Sequence, residues 1–81
     1  IIDVYPNPSK NYFNIDLELP FYTDLKIIIT DISGKSVKQI EKIDFIQGVI
    51  ELDINHLING IYNCSIITKE NTYNKSFVIA N

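Results

Sequence analysis

The stretch Phe13-Asn14-Ile15-Asp16-Leu17-Glu18-Leu19 alternates apolar and polar residues without a break. A period of two sets the apolar side chains on one face of a β-strand and the polar ones on the other, and the apolar face must then be buried by a second layer. The chain is thereby committed to sheet. Residue usage agrees: there are 17 Ile and a single Ala, and β-branched and aromatic side chains suit a pleated, half-buried surface better than a helix.

Other segments follow the same rule. Leu25 to Ile32 carries apolar residues at Leu25, Ile27, Ile28 and Ile29, a dense run expected in the interior of a sheet. Ser33 and Gly34 then predict a tight hairpin in which glycine supplies a positive φ, making Leu25 to Ile43 a hairpin. Its second arm, Ser36 to Ile43, alternates poorly, as a bulged or twisted edge would. Asp44 to Gly48 reads as a loop. Val49 to Ile54 turns Ile50, Leu52 and Ile54 inward. Residues 55–59 are too few for a stable helix and read as a crossover with one turn ending at Gly60. Gly60 to Thr68 points Tyr62, Cys64 and Ile66 to one face, and Thr72 to Ile79 does so with Tyr73, Phe77 and Ile79. Asn71 is expected to take the left-handed position of the loop between them. With a short first strand at Ile2 to Tyr5, ended by Pro6 and Pro8, this makes about seven antiparallel strands, all-β. An immunoglobulin-like β-sandwich is the natural architecture, with a small barrel as the alternative.

Length and charge bound the function. Eighty-one residues, 46% hydrophobic and 21% charged, suit one folded domain spanning residues 1–81, with a core too thin for a deep active site. A net charge of −3 argues against nucleic acid, whose binders show a basic face. One cysteine forms no internal disulfide. The apolar runs are far shorter than the ~20 residues of a membrane-crossing helix, and the first residues do not resemble a signal peptide. A start at Ile1 and the lack of Met read as a piece cut from a longer protein.

Groups that could do chemistry are scarce. Cys64, at an inward position, reads as a small buried hydrophobe with a raised pKa. His56 lies near Asp53, but nothing in the spacing brings a serine alongside, so it reads as a surface histidine. Asp16, Asp24, Asp31, Asp44 and Asp53 could gather a calcium ion at a loop end. No calcium-loop motif is present, however, so they read as solvated or turn-capping, and no metal or cofactor is expected. Asn63-Cys64-Ser65 and Asn74-Lys75-Ser76 match a glycosylation pattern too short to carry weight inside strands. Tyr5, Tyr12, Tyr22 and Tyr73 could stack on sugar rings, although tyrosines of a small sandwich more often finish the core.

Several separated features resemble one family, the type A C-terminal sorting domains of the type IX secretion system of Bacteroidetes. Val4-Tyr5-Pro6-Asn7-Pro8 looks like the family's opening motif, followed by the strand at Phe13 to Leu19. Ile29-Thr30-Asp31-Ile32-Ser33-Gly34-Lys35 resembles its middle element. Leu52-Asp53-Ile54, Leu57 and Gly60-Ile61-Tyr62 resemble the third, and Lys75 followed by Phe77-Val78-Ile79 the closing one. Ser76, where the family often has a second basic residue, and the ending Ala80-Asn81 depart from the pattern. The order of the four elements covers essentially the whole chain.

The resemblance implies a non-catalytic export module. It would follow a covalently linked upstream cargo that reaches the periplasm by a conventional signal peptide. Outer-membrane translocon, shuttle or sortase components would recognise it, and a sortase would remove it, with attachment of the cargo to surface lipopolysaccharide as one outcome. The cargo would end up secreted or on the cell surface. Gly60, Tyr62, Lys75, Phe77, Val78 and Ile79 are the expected recognition residues, on the last hairpin. Tyr5, Pro6, Asn7, Pro8, Asp31, Gly34 and Lys35 are expected to be structural. The rival reading is an accessory immunoglobulin-like binding or adhesion module, for example for carbohydrate.

Overall fold

A computed structural model describes residues 2–80 of the chain; Ile1 and Asn81 lie outside the described residues, so the ending Ala80-Asn81 is followed only to Ala80. Five strands run in chain order: β1 (Ile2–Tyr5), β2 (Tyr12–Thr30), β3 (Ser36–Asp53), β4 (Gly60–Thr68) and β5 (Thr72–Ile79). All the strand-to-strand pairings are antiparallel and belong to one sheet. Strand β2 runs through its middle. Its first part lies between β1 and the end of β3, and its second part between the start of β3 and β4, with β5 outside β4.

The sheet curls over on itself. Phe13 of β2 and Phe77 of β5 belong to strands that do not pair, yet their rings stack with centroids 3.9 Å apart. The residues between the two layers are the ones that alternation turns inward: Phe13, Ile15 and Leu17 from one part, Ile27, Ile29, Cys64, Ile66, Phe77 and Ile79 from the other, all at most 1% exposed. Burying this apolar surface is what drives the curl.

Seven separate strands were expected; the segments are present, but two pairs of them are continuous. Phe13 to Leu19 and Leu25 to Ile32 are expected apart, yet β2 runs through Pro20 to Asp24 and ends at Thr30, and β3 runs through the expected loop at Asp44 to Gly48. The turn signals there mark bends within strands. Between the pairs Glu18↔Gln47 and Thr23↔Phe45, β2 advances five residues against two in β3, so β2 takes the longer path around the corner. Pro20 is tolerated within this unpaired stretch because no ladder hydrogen bond is asked of it. Asp44 adopts a positive φ of 56°, Gly48 one of 145°, and the Asp44 N–H donates to Asp24 Oδ1 at 3.0 Å. A single five-stranded curled sheet therefore stands where a two-sheet immunoglobulin-like sandwich was expected.

The local turns differ in part from expectation. Gly34 has the positive φ the hairpin requires, 89°. Asn71 does not take a left-handed conformation; among the described residues Asp44 is the only non-glycine residue with positive φ. Instead Thr68 closes that loop, its N–H donating to Asn71 O at 2.8 Å and its Oγ1 accepting from Asn71 N–H at 3.0 Å. Gly60 ends no helical turn. It opens β4 opposite Ile79, and the crossover is held by Leu57 N–H donating to Ile54 O at 3.0 Å.

Candidate functional site

The β4–β5 hairpin is anchored from inside. Tyr62, Phe77 and Ile79 are buried, Phe77 stacks on Phe13, and Tyr62 packs beside Phe77 with centroids 5.8 Å apart. The Tyr62 hydroxyl donates to Ile58 O at 2.6 Å, so its one polar atom is satisfied. On the outer face, Ser65 Oγ donates to Asn74 Oδ1 at 2.7 Å and Asn63 Nδ2 donates to Ser65 Oγ at 2.9 Å. Both glycosylation-like triplets thus lie within strands, with Asn63 and Asn74 tied into a cross-strand ladder.

Strand β5 is an edge of the sheet; among the strands of the described residues it pairs with β4. An edge strand turns every second residue's N–H and C=O outward, where another strand could join. Lys75 sits opposite the buried Cys64 at an inward-facing position and is exposed. A lysine there discourages indiscriminate pairing, because adding a strand would bury its charge. Val78, opposite Ile61, is 38% exposed.

The opening motif lies against the end of this edge. Tyr5 ends β1 opposite Asn14 and is 40% exposed, and the Tyr5-Pro6 and Asn7-Pro8 peptide bonds are cis. Beyond it the chain crosses to β5. Asn7 Oδ1 accepts from Val78 N–H at 3.0 Å, Ser9 N–H donates to Val78 O at 2.8 Å, and Ala80 N–H donates to Ser9 O at 2.9 Å. Ser9 is fully buried, forms a parallel bridge with Ile79, and its hydroxyl donates to Pro6 O. The structure thus joins the two ends of the expected motif set, Tyr5 to Pro8 with Val78 and Ile79. Reasoning from sequence passed over Ser9; its signal is a small hydrogen-bonding residue straight after a proline-punctuated motif.

Asp31, Gly34 and Lys35 form a self-contained turn. One carboxylate oxygen of Asp31 accepts from Ser33 Oγ at 2.7 Å, Ser33 N–H at 2.9 Å and Lys35 N–H at 3.0 Å. Asp31 N–H donates to Lys35 O at 2.9 Å, and Gly34 N–H to Asp31 O at 3.0 Å. The Ser33 hydroxyl first, then the Lys35 backbone amide, hold the Asp31 carboxyl below its usual 3.8.

Cys64 is fully buried, and desolvation pushes its thiol up to about 12. His56 is exposed. Asp24, Asp31 and Asp53 each accept a backbone N–H in a turn or bend, Asp53 from Asn55 at 2.9 Å. Tyr73 packs against the core, while Tyr12 and Tyr22 are more than half exposed. At the corner of the sheet Tyr22, Phe21 and Tyr73 line a groove of about 580 Å³ with the tip of the last hairpin.

The family model for the secretion system C-terminal sorting domain matches residues 3–80, from the opening strand through the edge that Asn7 caps. The chain belongs to that family. No curated protein matches it significantly. As a sorting domain it is a C-terminal type IX secretion signal and works with that machinery, and its cargo is exported across the outer membrane. The sorting domain's opening and closing motifs, far apart in sequence, meet at the outer edge of β5.

Proposed function

We infer that this sorting domain is a passive address, read on the β4–β5 hairpin, and that its own side chains make and break no bonds. A tag carried by unrelated cargo must hold its information on its own surface. Backbone amides at a strand edge are a sequence-tolerant handle for it. The observation that carries this reading is the open edge of β5 around Asn74 and Ser76, flanked by exposed Lys75 and Val78. In this reading Gly60, Tyr62, Phe77 and Ile79 hold the edge in place, while Lys75 and Val78 meet the translocon, shuttle or sortase. The cargo lies upstream of residues 1–81 and passes through the periplasm. A sortase then removes the domain and releases the cargo or fixes it to surface lipopolysaccharide.

The test is a fusion of residues 1–81 behind a signal peptide and a fluorescent reporter in a Bacteroidetes host. The intact tag sends the reporter outside, and deleting 74–81 leaves it in the periplasm. Ser76→Pro is the sharper variant. Its N–H faces away from β4, so the fold tolerates proline while an incoming strand loses a donor. Surface export of both variants at the wild-type level would overturn the reading.

The aromatic groove beside Phe21 and Tyr22 supports a second reading, an accessory binding module for carbohydrate. It predicts that the domain stays on the mature protein and binds glycans through Tyr22. A mature product lacking the domain would exclude it.

A further inference from the structure

The outer edge of β5 is divided in two. Val78 and Ala80 turn their N–H groups outward to Asn7 and Ser9, so the residues of the same parity, Ser76 and Asn74, also face outward, with β4 on their other side. Over Val78 to Ala80 the edge is closed by residues 7–9, which lie against it as an added strand would, parallel at Ser9↔Ile79. At Asn7 a side-chain oxygen takes the place a backbone carbonyl would have in a true strand. The segment is also folded on itself, through the Ser9 hydroxyl and Pro6 O.

We propose that Asn7–Ser9 is a displaceable strap that competes in cis for the edge of β5. An extended peptide segment of the export machinery pairs first with the outward amides of Asn74 and Ser76, then takes over Val78 and Ala80 as the strap lifts. The exchange is close to balanced, because the three hydrogen bonds given up, one to a side-chain oxygen and two between backbone groups, are replaced by as many backbone bonds. Closure by the strap lowers the fraction of domain ready for the full pairing and so lowers apparent affinity. The proposal rests on the β5 edge being the recognition surface, as inferred above.

Amide exchange on the 81-residue chain and pulse-chase export of the reporter fusion test it together. Asn7→Ala removes the acceptor for Val78. Exchange at Val78 is expected to quicken about tenfold, with Phe77, on the β4 side, unchanged, and export is expected to speed up severalfold. Asn7→Asp keeps a carboxylate oxygen in place and should behave as wild type. Asn7→Gln, which displaces the amide by one methylene, should resemble Asn7→Ala and serves if the latter folds poorly. Unchanged exchange at Val78, or a freed Val78 with export unchanged or slower, would overturn the strap. If Ser76→Pro blocks export but Asn7→Ala does not speed it, the strap alone falls. Normal export of Ser76→Pro removes the reading beneath it as well.

Discussion

Val78 donates its backbone N–H to the side-chain oxygen of Asn7 at 3.0 Å, across 71 positions of sequence. The bond fixes the closing strand to the opening motif and caps an edge donor that would otherwise face solvent or another chain. Asn7→Ala is expected to lower stability by about 1 kcal/mol, and Asn7→Asp by less, since an acceptor remains. Urea unfolding of the three proteins checks the order.

Phe77 links the curl of the sheet to the last hairpin through its stack on Phe13. Phe77→Ala leaves a cavity at a fully packed site and is expected to cost about 3–5 kcal/mol. A domain of this size has about 4–12 kcal/mol of stability in total, so the variant should lose at least about a quarter of it and melt at a clearly lower temperature. Phe77→Leu should lose less. Thermal unfolding followed by circular dichroism separates them, and a Phe77→Ala protein as stable as wild type would contradict the packing described.

The Asp31 turn makes a prediction with a definite sign. Hydrogen bonds from Ser33 and Lys35 depress the folded-state pKa of Asp31 below 3.8. A depressed carboxyl pKa contributes stability that is present above the unfolded value and is lost as pH falls through the folded one. The difference in urea midpoint between wild type and Asp31→Ala should therefore be constant near neutrality and shrink below about pH 4. Neighbouring Gly34 tests the backbone. With φ at +89° and no atom near the place of a Cβ, Gly34→Ala should cost about 1–2 kcal/mol through conformation alone, and Gly34→Asn less.

Cys64 is predicted to be inert in the folded protein. Its thiol is fully buried, and burial raises its pKa from 9.0 to about 12, so almost no thiolate is available near neutral pH. Iodoacetamide labelling at pH 8 should follow global unfolding and rise with urea only through the transition. Because the folded pKa is the raised one, its contribution to stability is complete below pH 9 and declines as pH climbs towards 12. Rapid labelling without denaturant would place the thiol at the surface.

The sides of the strands could be read directly from the residues. A period of two is a property of neighbours, so Phe13, Ile15 and Leu17, or Cys64 and Ile66, go inward whatever the sheet around them does. The Asp31 turn is equally local, since donors and acceptor lie within five residues. Two matters were not readable in this way. Pro20, Asp44 and Gly48 carry the marks of strand ends, and whether such a mark ends a strand or bends it depends on partners far along the chain; here β2 and β3 stay paired on both sides of the corner. The capping of β5 by Asn7 and Ser9 depends on the curl that brings the first strand's end beside the last one. Faces and turns are settled by interactions a few residues long, whereas corners and edges are settled by burial of apolar surface between distant segments, a free energy that belongs to no single stretch of sequence.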